Sequence, residues 1–216
     1  MTTPLQDIAI VGAGGLGREV LVLLRQINQV QPTWNPIGFY DDQPQAPIHG
    51  LPYLGTPADL QHITQPLHVV LAIGNCQVKE KIAQQLTHSL LRFPTLLHPS
   101  VTNDAFQLNQ IGEGSIICQN TVLSTHVRIG KHVLINWNST IGHDAVLEDF
   151  CSLMPQVAIS GHVVLQKGVY VGVHACVLQG LTMGEYCTLG AGTVVTKDIP
   201  RRCTAVGVPA RILKKA

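Results

Sequence analysis

Residues 111–147 read IGEGSI-ICQNTV-LSTHVR-IGKHVL-INWNST-IGHDAV-L when written in groups of six, and every group opens on Ile or Leu. The same phase continues to Val195, which gives fifteen apolar positions without a miss. Neither a helix, with roughly 3.6 residues per turn, nor an alternating strand explains a period of six. A hexapeptide repeat does, because three short strands joined by tight corners form one coil of a parallel β-helix. We therefore predict about five coils of eighteen residues.

Each of these aliphatic positions is followed four residues later by a small or apolar residue, from Ser115 to Thr193. We expect both positions to point into the coil, and we expect Gly or a polar residue at each corner. Three of the six cysteines, Cys151, Cys176 and Cys187, lie in or beside inward positions, where Cys acts as a small hydrophobe.

The composition argues against binding to nucleic acid or to an anionic membrane. Charged residues make up 12% of the chain and the formal net charge is +1, so no strong field favours nucleic acid or an anionic membrane. We find no signal peptide, no transmembrane stretch and no CxxC pair. These features predict a cytoplasmic protein with reduced thiols.

The N-terminal part begins with an apolar strand at 7–11, a GxGxxG turn from Gly12 to Gly17, and a helix at 18–27. In this context the glycines allow a phosphate to approach the backbone, and the helix N-terminus attracts the anion. A tight turn without a ligand is the alternative. A second strand at 36–40 ends in Asp41 and Asp42, where a dinucleotide fold binds a ribose hydroxyl. The alternative is that Asp41 and Asp42 are two solvent-exposed acids in a turn, which would give the same sequence pattern.

A third strand at 68–73 is followed by Gly74 and by a helix at 78–90, and a fourth short strand is expected at 91–96. Open α/β sheets bind ligands at the carboxyl ends of their strands, which places Gly74 at the predicted binding edge. We predict an α/β Rossmann-like domain over residues 1–100, and a β-helix with a C-terminal end cap over residues 101–216. The first domain is too short for two mononucleotide halves, which favours a single nucleotide over NAD.

His143 and Asp144 form the most distinctive polar pair of the repeat. A carboxylate beside a histidine stabilises the imidazolium of a general base. Neighbouring residues on a strand face opposite ways, so a contact between these two side chains requires a corner; an exposed surface histidine is the alternative. The spacing of His126, Asp144 and His162 also predicts a column on successive coils, which is either structural or a metal site.

Taken together, the GxGGxG unit, Phe39-Tyr-Asp-Asp42, Ala72-Ile-Gly-Asn75, the hexads with Gly142-His-Asp144 and the closing Val206-Gly-Val-Pro-Ala-Arg211 resemble the nucleotide-sugar acetyltransferases with hexapeptide repeats. That group includes the sialic acid O-acetyltransferases and the N-acetyltransferases of bacillosamine and perosamine synthesis. The resemblance covers the whole chain. It implies a left-handed β-helix, a homotrimer with active sites between subunits, and acetyl-CoA as co-substrate.

The resemblance also implies roles for individual residues. His143 matches the catalytic base, Asp144 its neighbouring acid, and Gly161 the backbone N–H donor to the oxyanion. Asn136 matches a residue near the sugar. The remaining matches concern binding: the nucleotide at Gly14, Gly15, Leu16, Asp41, Asp42 and Gly74, and acetyl-CoA at Ser152, Val173 and Ala191. Leu16 and Ser152 stand where several relatives have His, so the chain departs from the family at one nucleotide-sugar position and at one cofactor position.

The implied reaction is N-acetylation of a nucleotide-linked 4-amino-4,6-dideoxy sugar, with UDP favoured over GDP. O-acetylation of a sialic acid or a related sugar is the nearest alternative, and a non-catalytic trimeric scaffold or nucleotide-sugar sensor is the alternative from another class. β-Helical zinc hydratases place a His five residues after the ligand on the later coil; here that position is Lys167. We therefore predict no metal.

Overall fold

The computed structural model describes residues 4–44 and 46–215, and these divide into two compact units. The first unit comprises the described residues up to Gly74 together with Val78–Pro94, and the second comprises Asn75–Gln77 and the chain from Thr95 onward. In the described part of the chain, no helix has the length and apolarity that a bilayer crossing requires.

The first unit contains a parallel five-stranded sheet in the order β3-β2-β1-β4-β5. In chain order, the elements as far as the end of this unit are β1 (Gln6–Val11), α1 (Gly15–Val30), β2 (Trp34–Tyr40), β3 (Tyr53–Gly55), a 3₁₀ helix (Pro57–His62), β4 (Leu67–Leu71), α2 (Cys76–Gln85) and β5 (Leu91–Arg92). The first two residues of α2 belong to the segment Asn75–Gln77 of the second unit. The central strand β1 is a continuous apolar run, and its residues from Ile8 to Val11 are almost fully buried, as expected where a parallel strand is covered on both faces.

The second unit is a parallel β-helix built from two-residue strands. They are β6 (Leu96–Leu97), β7 (Gln110–Ile111), β8 (Ile116–Ile117), β9 (Val122–Leu123), β10 (Arg128–Ile129), β11 (Leu134–Ile135), β12 (Thr140–Ile141), β13 (Val146–Leu147), β14 (Ser152–Leu153), β15 (Ala158–Ile159), β16 (Val164–Leu165), β17 (Tyr170–Val171), β18 (Cys176–Val177), β19 (Thr182–Met183), β20 (Thr188–Leu189) and β21 (Val194–Val195), followed by β22 (Cys203–Val206) and β23 (Arg211–Lys215). A second 3₁₀ helix, Ala105–Gln107, precedes β7.

Every third strand of the repeat pairs in parallel, which produces three sheets. Two have five strands, in the orders β19-β16-β13-β10-β7 and β21-β18-β15-β12-β9, and the third has the order β23-β22-β20-β17-β14-β11-β8-β6. Ile141 of β12, for example, pairs with Leu123 and with Ile159, each eighteen positions away. The predicted coil length is therefore observed directly.

The predicted inward positions form the core of the second unit. Fourteen of the fifteen aliphatic positions are buried, and Ile111, in the first strand of the repeat, is partly buried against the same cluster. Cys151 and Cys187 lie in this cluster, and none of the six cysteines forms a disulfide. The hydrophobic effect that drives coil formation thus acts through a single continuous column of side chains.

The corners differ from the prediction. The residue three positions after each aliphatic residue from Ile111 to Leu189 adopts the left-handed region, with φ between 53° and 64° at the ten non-glycine corners from Asn120 to Tyr186. Phe150 and Tyr186 occupy two of these corners, so they are not restricted to Gly or polar residues. The recurrent glycines lie earlier, at the strand ends. A Cβ on Gly142 would come within 2.5 Å of the Gly161 nitrogen, so these glycines allow neighbouring coils to stack.

The expected strand at 91–96 is in fact two strands in different units. β5 pairs with β4 of the first sheet, whereas β6 pairs with β8 and so opens the β-helix. Pro94 lies between them and cannot donate a backbone hydrogen bond, so it interrupts the strand.

Candidate active site

His143 and Asp144 form one corner of the β-helix, directly after β12 and Gly142. The His143 Nδ1 lies 2.8 Å from the Asp144 Oδ2. Asp144 has a φ of 57°, and this left-handed conformation turns its side chain towards that of its neighbour, which two consecutive residues of a strand could not achieve. The backbone holds the corner from both sides: the Asp144 N–H donates to the Thr125 carbonyl, and the His143 carbonyl accepts from the His162 N–H.

The pair is electrostatically suited to base catalysis. The hydrogen bond from His143 is the largest influence on the Asp144 carboxyl and lowers its pKa below the ordinary value; desolvation opposes this shift, and the positive charges that nearby histidines can carry add to it. Asp144 is therefore an anion at neutral pH and accepts a hydrogen bond from Nδ1–H, which leaves the lone pair on Nε2. The two side chains are 47% and 43% exposed, so a substrate can reach them.

Gly161 lies on the following coil, beneath the tip of the His143 ring. A Cβ at this position would come within 2.5 Å of the His143 Nε2. The Gly161 φ lies outside the left-handed region, so the backbone conformation does not require glycine there. Within the described residues, no acceptor takes the Gly161 N–H. A hydrogen-bond donor is thus available close to the nitrogen that would act as the base.

The predicted column of His126, Asp144 and His162 is present. The Asp144 Oδ2 lies 3.7 Å from the His162 Nε2, and the rings of His143 and His162 meet edge to face with centroids 4.9 Å apart. Donor atoms of His143, Asp144 and His162 all lie within 4.8 Å of one another, which is close enough for three ligands of one metal ion. The absence of a metal from the reaction stays a prediction.

Asn136, the predicted sugar contact, follows β11 and is 6% exposed. Its Oδ1 accepts the backbone N–H of Trp137 at 2.8 Å. The side chain is therefore held in one orientation by its own corner.

The structure separates the three predicted acetyl-CoA contacts. Val173 and Ala191 are exposed and occupy the same corner position on successive coils, since the Gly192 N–H donates to the Val173 carbonyl. Ser152, in contrast, is completely buried in the eight-stranded sheet. The exposed pair is accessible to a ligand, whereas a contact with Ser152 would require its cover to move. Sequence alone gave no sign of this burial, because Ser152 stands at an outward repeat position.

The predicted nucleotide residues follow the carboxyl ends of β1, β2 and β4, which are neighbours in the sheet. Gly12 and Gly17 are needed for packing, because a Cβ on either would strike backbone atoms. Gly14, Gly15 and Gly74 have open space at that position instead. Gly14 and Gly15 are exposed at the start of α1, and Leu16 is half-buried beside them.

Asp41 and Asp42 differ in their surroundings. The Asp41 Oδ2 accepts the Ala13 N–H at 2.8 Å, and its Oδ1 accepts the Gln43 N–H at 3.1 Å, so this carboxylate braces the glycine turn. Asp42 is exposed. The bond from Ala13 had no signature in the sequence.

Arg128 was not expected at the site. It lines a groove of about 250 Å³ together with His126 and Asp144, and within the described residues no acceptor contacts its guanidinium. Its outward position immediately before the inward Ile129 is the feature that could have predicted its exposure.

Comparison with known proteins finds relatives in sequence. Residues 7–86 match the family model described as the PglD N-terminal domain. The chain is 29% identical over 215 residues to the GDP-perosamine N-acetyltransferase of Escherichia coli O157:H7, and the match covers 96% of each chain.

Solved structures agree with this comparison. PerB from Caulobacter crescentus, crystallised with CoA and GDP-perosamine, has a TM-score of 0.89 at 27% identity, over 98% of this chain and 99% of that one. The acetyltransferase domain of PglB from Neisseria gonorrhoeae, in complex with acetyl coenzyme A, has a TM-score of 0.87 at 28% identity, over 97% and 100%. The resemblance and the fold class predicted from the sequence are confirmed.

Proposed function

We propose that the chain is a nucleotide-sugar acetyltransferase of the hexapeptide-repeat family that uses acetyl-CoA, and that it acetylates the 4-amino group of a nucleotide-linked 4-amino-4,6-dideoxy sugar with His143 as general base. The observation that carries the proposal is the 2.8 Å bond between the His143 Nδ1 and Asp144, which leaves Nε2 free to accept a proton.

The reaction is a direct transfer. The neutral amine attacks the carbonyl carbon of acetyl-CoA while His143 Nε2 removes a proton from the nitrogen, so a C–N bond forms and the carbonyl becomes an oxyanion. Collapse of this intermediate breaks the C–S bond. The leaving thiolate takes the proton from the His143 imidazolium, which restores the base and releases CoA as a thiol.

Two groups stabilise the charges that develop. The Asp144 carboxylate interacts with the imidazolium, which is present only after proton transfer has begun. The Gly161 N–H has no acceptor within the described residues and is assigned to the oxyanion. A preorganised donor of this kind is often the largest single contribution to acyl transfer.

For the nucleotide, we propose the exposed start of α1. Gly14 and Gly15 leave room for a phosphate to approach the backbone, and the helix N-terminus supplies N–H groups and a positive dipole end. We assign the ribose to Asp42, supported by Asp41, whose carboxylate is already engaged with the turn. Gly74 and half-buried Leu16 complete the proposed contacts, and Asn136 is assigned to the sugar.

The co-substrate and the assembly complete the proposal. Acetyl-CoA is assigned to the exposed Val173 and Ala191, with Ser152 the weakest of the three predicted contacts because it is buried. We propose a homotrimer in which the sheet containing β12 meets a neighbouring subunit. The ten outward residues of its five strands and of the positions that follow them carry no charge. They include Val122 and Leu178, which are 59% and 44% exposed in the single chain.

The test is a thiol-release assay with acetyl-CoA and a panel of acceptors. It contains UDP- and GDP-linked 4-amino-4,6-dideoxy sugars, their 4-hydroxy counterparts and free sialic acid. Rapid release with an amino sugar alone supports N-acetylation, and comparison of the two nucleotides identifies the preferred one. The sequence favours UDP, whereas the full-length relative is named for a GDP sugar, so both are essential.

Other outcomes point elsewhere. Release with sialic acid or a hydroxy sugar, and none with the amino sugars, would replace the proposal by O-acetylation. Nucleotide-sugar binding without any release would favour the scaffold or sensor.

A further inference from the structure

We propose that His162 is a positioning residue for the base: it shares the Asp144 carboxylate with His143 and restrains the His143 ring, so that its own protonation suppresses the reaction. The inference rests on the proposed role of His143. It gives a role to His162, a member of the His126, Asp144 and His162 column that the proposed reaction does not use.

The geometry places His162 against both members of the pair. Its Nε2 lies 3.7 Å from the same carboxylate oxygen, Asp144 Oδ2, that accepts the His143 Nδ1–H at 2.8 Å. Its ring packs on the His143 ring edge to face, with an interplanar angle of 88° and centroids 4.9 Å apart. The imidazole of His143 therefore packs against His162 on one side, and its Nδ1 is hydrogen-bonded to Asp144.

Protonation of His162 would act on the reaction in two ways. A cationic His162 attracts the Asp144 carboxylate and so weakens the bond that orients His143. It also places a positive charge beside a ring that must itself become positive during proton transfer, and like charges at this separation oppose each other. A positive charge on either imidazole therefore opposes a positive charge on the other.

No other titratable group of the surrounding coils makes the same two contacts within the described residues. From the preceding coil, His126 and Arg128 line a groove with Asp144, and the His126 Nδ1 lies 3.0 Å from the Thr125 hydroxyl. The following coil presents Gln179 and Gly180 at this corner, and neither can ionise. His126 thus faces the same groove as Asp144, but only His162 contacts the His143 ring.

The decisive variant is His162→Gln, assayed for kcat and KM from pH 5 to pH 9. Glutamine already occupies the equivalent corner at Gln156, with a φ of 62°, so the backbone should be retained. We expect kcat to fall about 3- to 10-fold, the range typical of losing one ring contact, with both KM values changed less than about twofold.

The acidic limb of kcat/KM provides the specific readout. Its slope should decrease by one proton in His162→Gln, because the second imidazole no longer titrates. The amine substrate contributes its own protonation equally to both enzymes, so it cancels in the comparison. The matched control His174→Gln, at an exposed left-handed corner away from Asp144, should retain the wild-type slope and kcat. An unchanged slope in His162→Gln, or an equal loss in both variants, would overturn the proposal.

A measurement without substrate separates this inference from the proposed function. The imidazole ¹⁵N–¹H correlations of the free protein can be followed between pH 5 and pH 9. We expect the His143 signal to titrate in two steps in the wild type and in a single step in His162→Gln. If His143 titrates in two steps but no acetyl transfer is found, the proposed function is wrong and the interaction between the two histidines is supported. Identical His143 titrations in the two proteins would remove the coupling itself, whatever the activity.

Discussion

At the scale of single residues, the site combines a predictable pair with an arrangement that the sequence leaves open. The sequence identifies His143 and Asp144, but whether they touch depends on the backbone between them. The left-handed conformation of Asp144 decides the question, and it recurs at every non-glycine corner of the repeat. A contact that is exceptional on a flat strand is therefore normal in this fold.

Replacing His143 with Ala tests the base directly. We expect turnover to fall by about 10² or more, the usual contribution of a general base. The side chain is 47% exposed, and exposed substitutions rarely change stability much, so the melting temperature should stay within about 2 °C of the wild type.

Thiol release and differential scanning calorimetry measure the two effects. His174→Ala is the matched control, because His174 is also an exposed histidine at a corner of the β-helix and lies away from Asp144. It should retain full activity. A His143→Ala enzyme with more than about a tenth of wild-type turnover would exclude His143 as the base.

Gly161→Ala tests the approach of the base to its neighbouring coil. The new methyl group would lie 2.5 Å from the His143 Nε2, closer than van der Waals contact permits, so the imidazole must move. We expect kcat to fall by about 10²-fold, as misplacement of a reacting group by about 1 Å can cause, while the protein still folds.

Circular dichroism and steady-state kinetics report the two results for Gly161→Ala. Gly180→Asn is the control: it adds a side chain to the same corner one coil further on, where no atom lies within 4 Å of a Cβ, and Asn tolerates the positive φ. Wild-type kcat in Gly161→Ala would show that the ring position is not critical.

At the scale of secondary-structure elements, the period of six predicted the β-helix because every coil buries aliphatic residues at the same positions of its hexads. The inward residues could be assigned one by one, and the structure places fourteen of fifteen aliphatic positions in the interior. Strand ends near the junction were less predictable. β5 and β6 are separated by only three residues, and their pairing depends on partners distant in sequence. The complete burial of Ser152 was not predictable either, because its repeat position faces outward.

The inward cysteine Cys187 gives the β-helix a defined response to alkaline pH. Burial, and to a smaller extent the nearby Cys203, raises the pKa of the Cys187 thiol from 9.0 to about 12. The folded protein then retains a proton that the unfolded chain releases above pH 9, so stability falls as pH rises from about 9 to about 12. Below pH 9 both states are protonated and this contribution is constant.

Urea denaturation of Cys187→Ala at pH 8, 9, 10 and 11 isolates this contribution. The variant should be less stable at pH 8, since it leaves a small cavity, but the gap to the wild type should narrow as pH rises above 9. Val157→Ala is the control, because Val157 is buried at the equivalent inward position and has no ionisable group. Its gap should be independent of pH. A constant gap for Cys187→Ala would show that the thiol does not titrate with folding.

At the scale of the whole molecule, the charge-free sheet is the feature that a single chain leaves unexplained. Outward side chains of a solvated sheet are normally polar or charged, and exposed apolar groups that cluster mark interaction sites. The sheet containing β12 ends at the corner that carries His143. If two copies meet there, the base lies beside a neighbouring subunit, and assembly and activity should be lost together.

Leu178→Arg tests this link, since it places a charge within the uncharged surface, where Leu178 is 44% exposed. The wild type should have a mass of three times 23.3 kDa by light scattering coupled to size exclusion, and the variant should dissociate and lose most of its turnover. Val30→Arg, at an exposed helix end of the first unit, should remain trimeric and active. Because Leu178→Arg leaves His143, Asp144 and Gly161 in place, its loss of activity would arise from the missing neighbouring subunit. A monomeric wild type with full turnover would instead locate the entire active site within one chain.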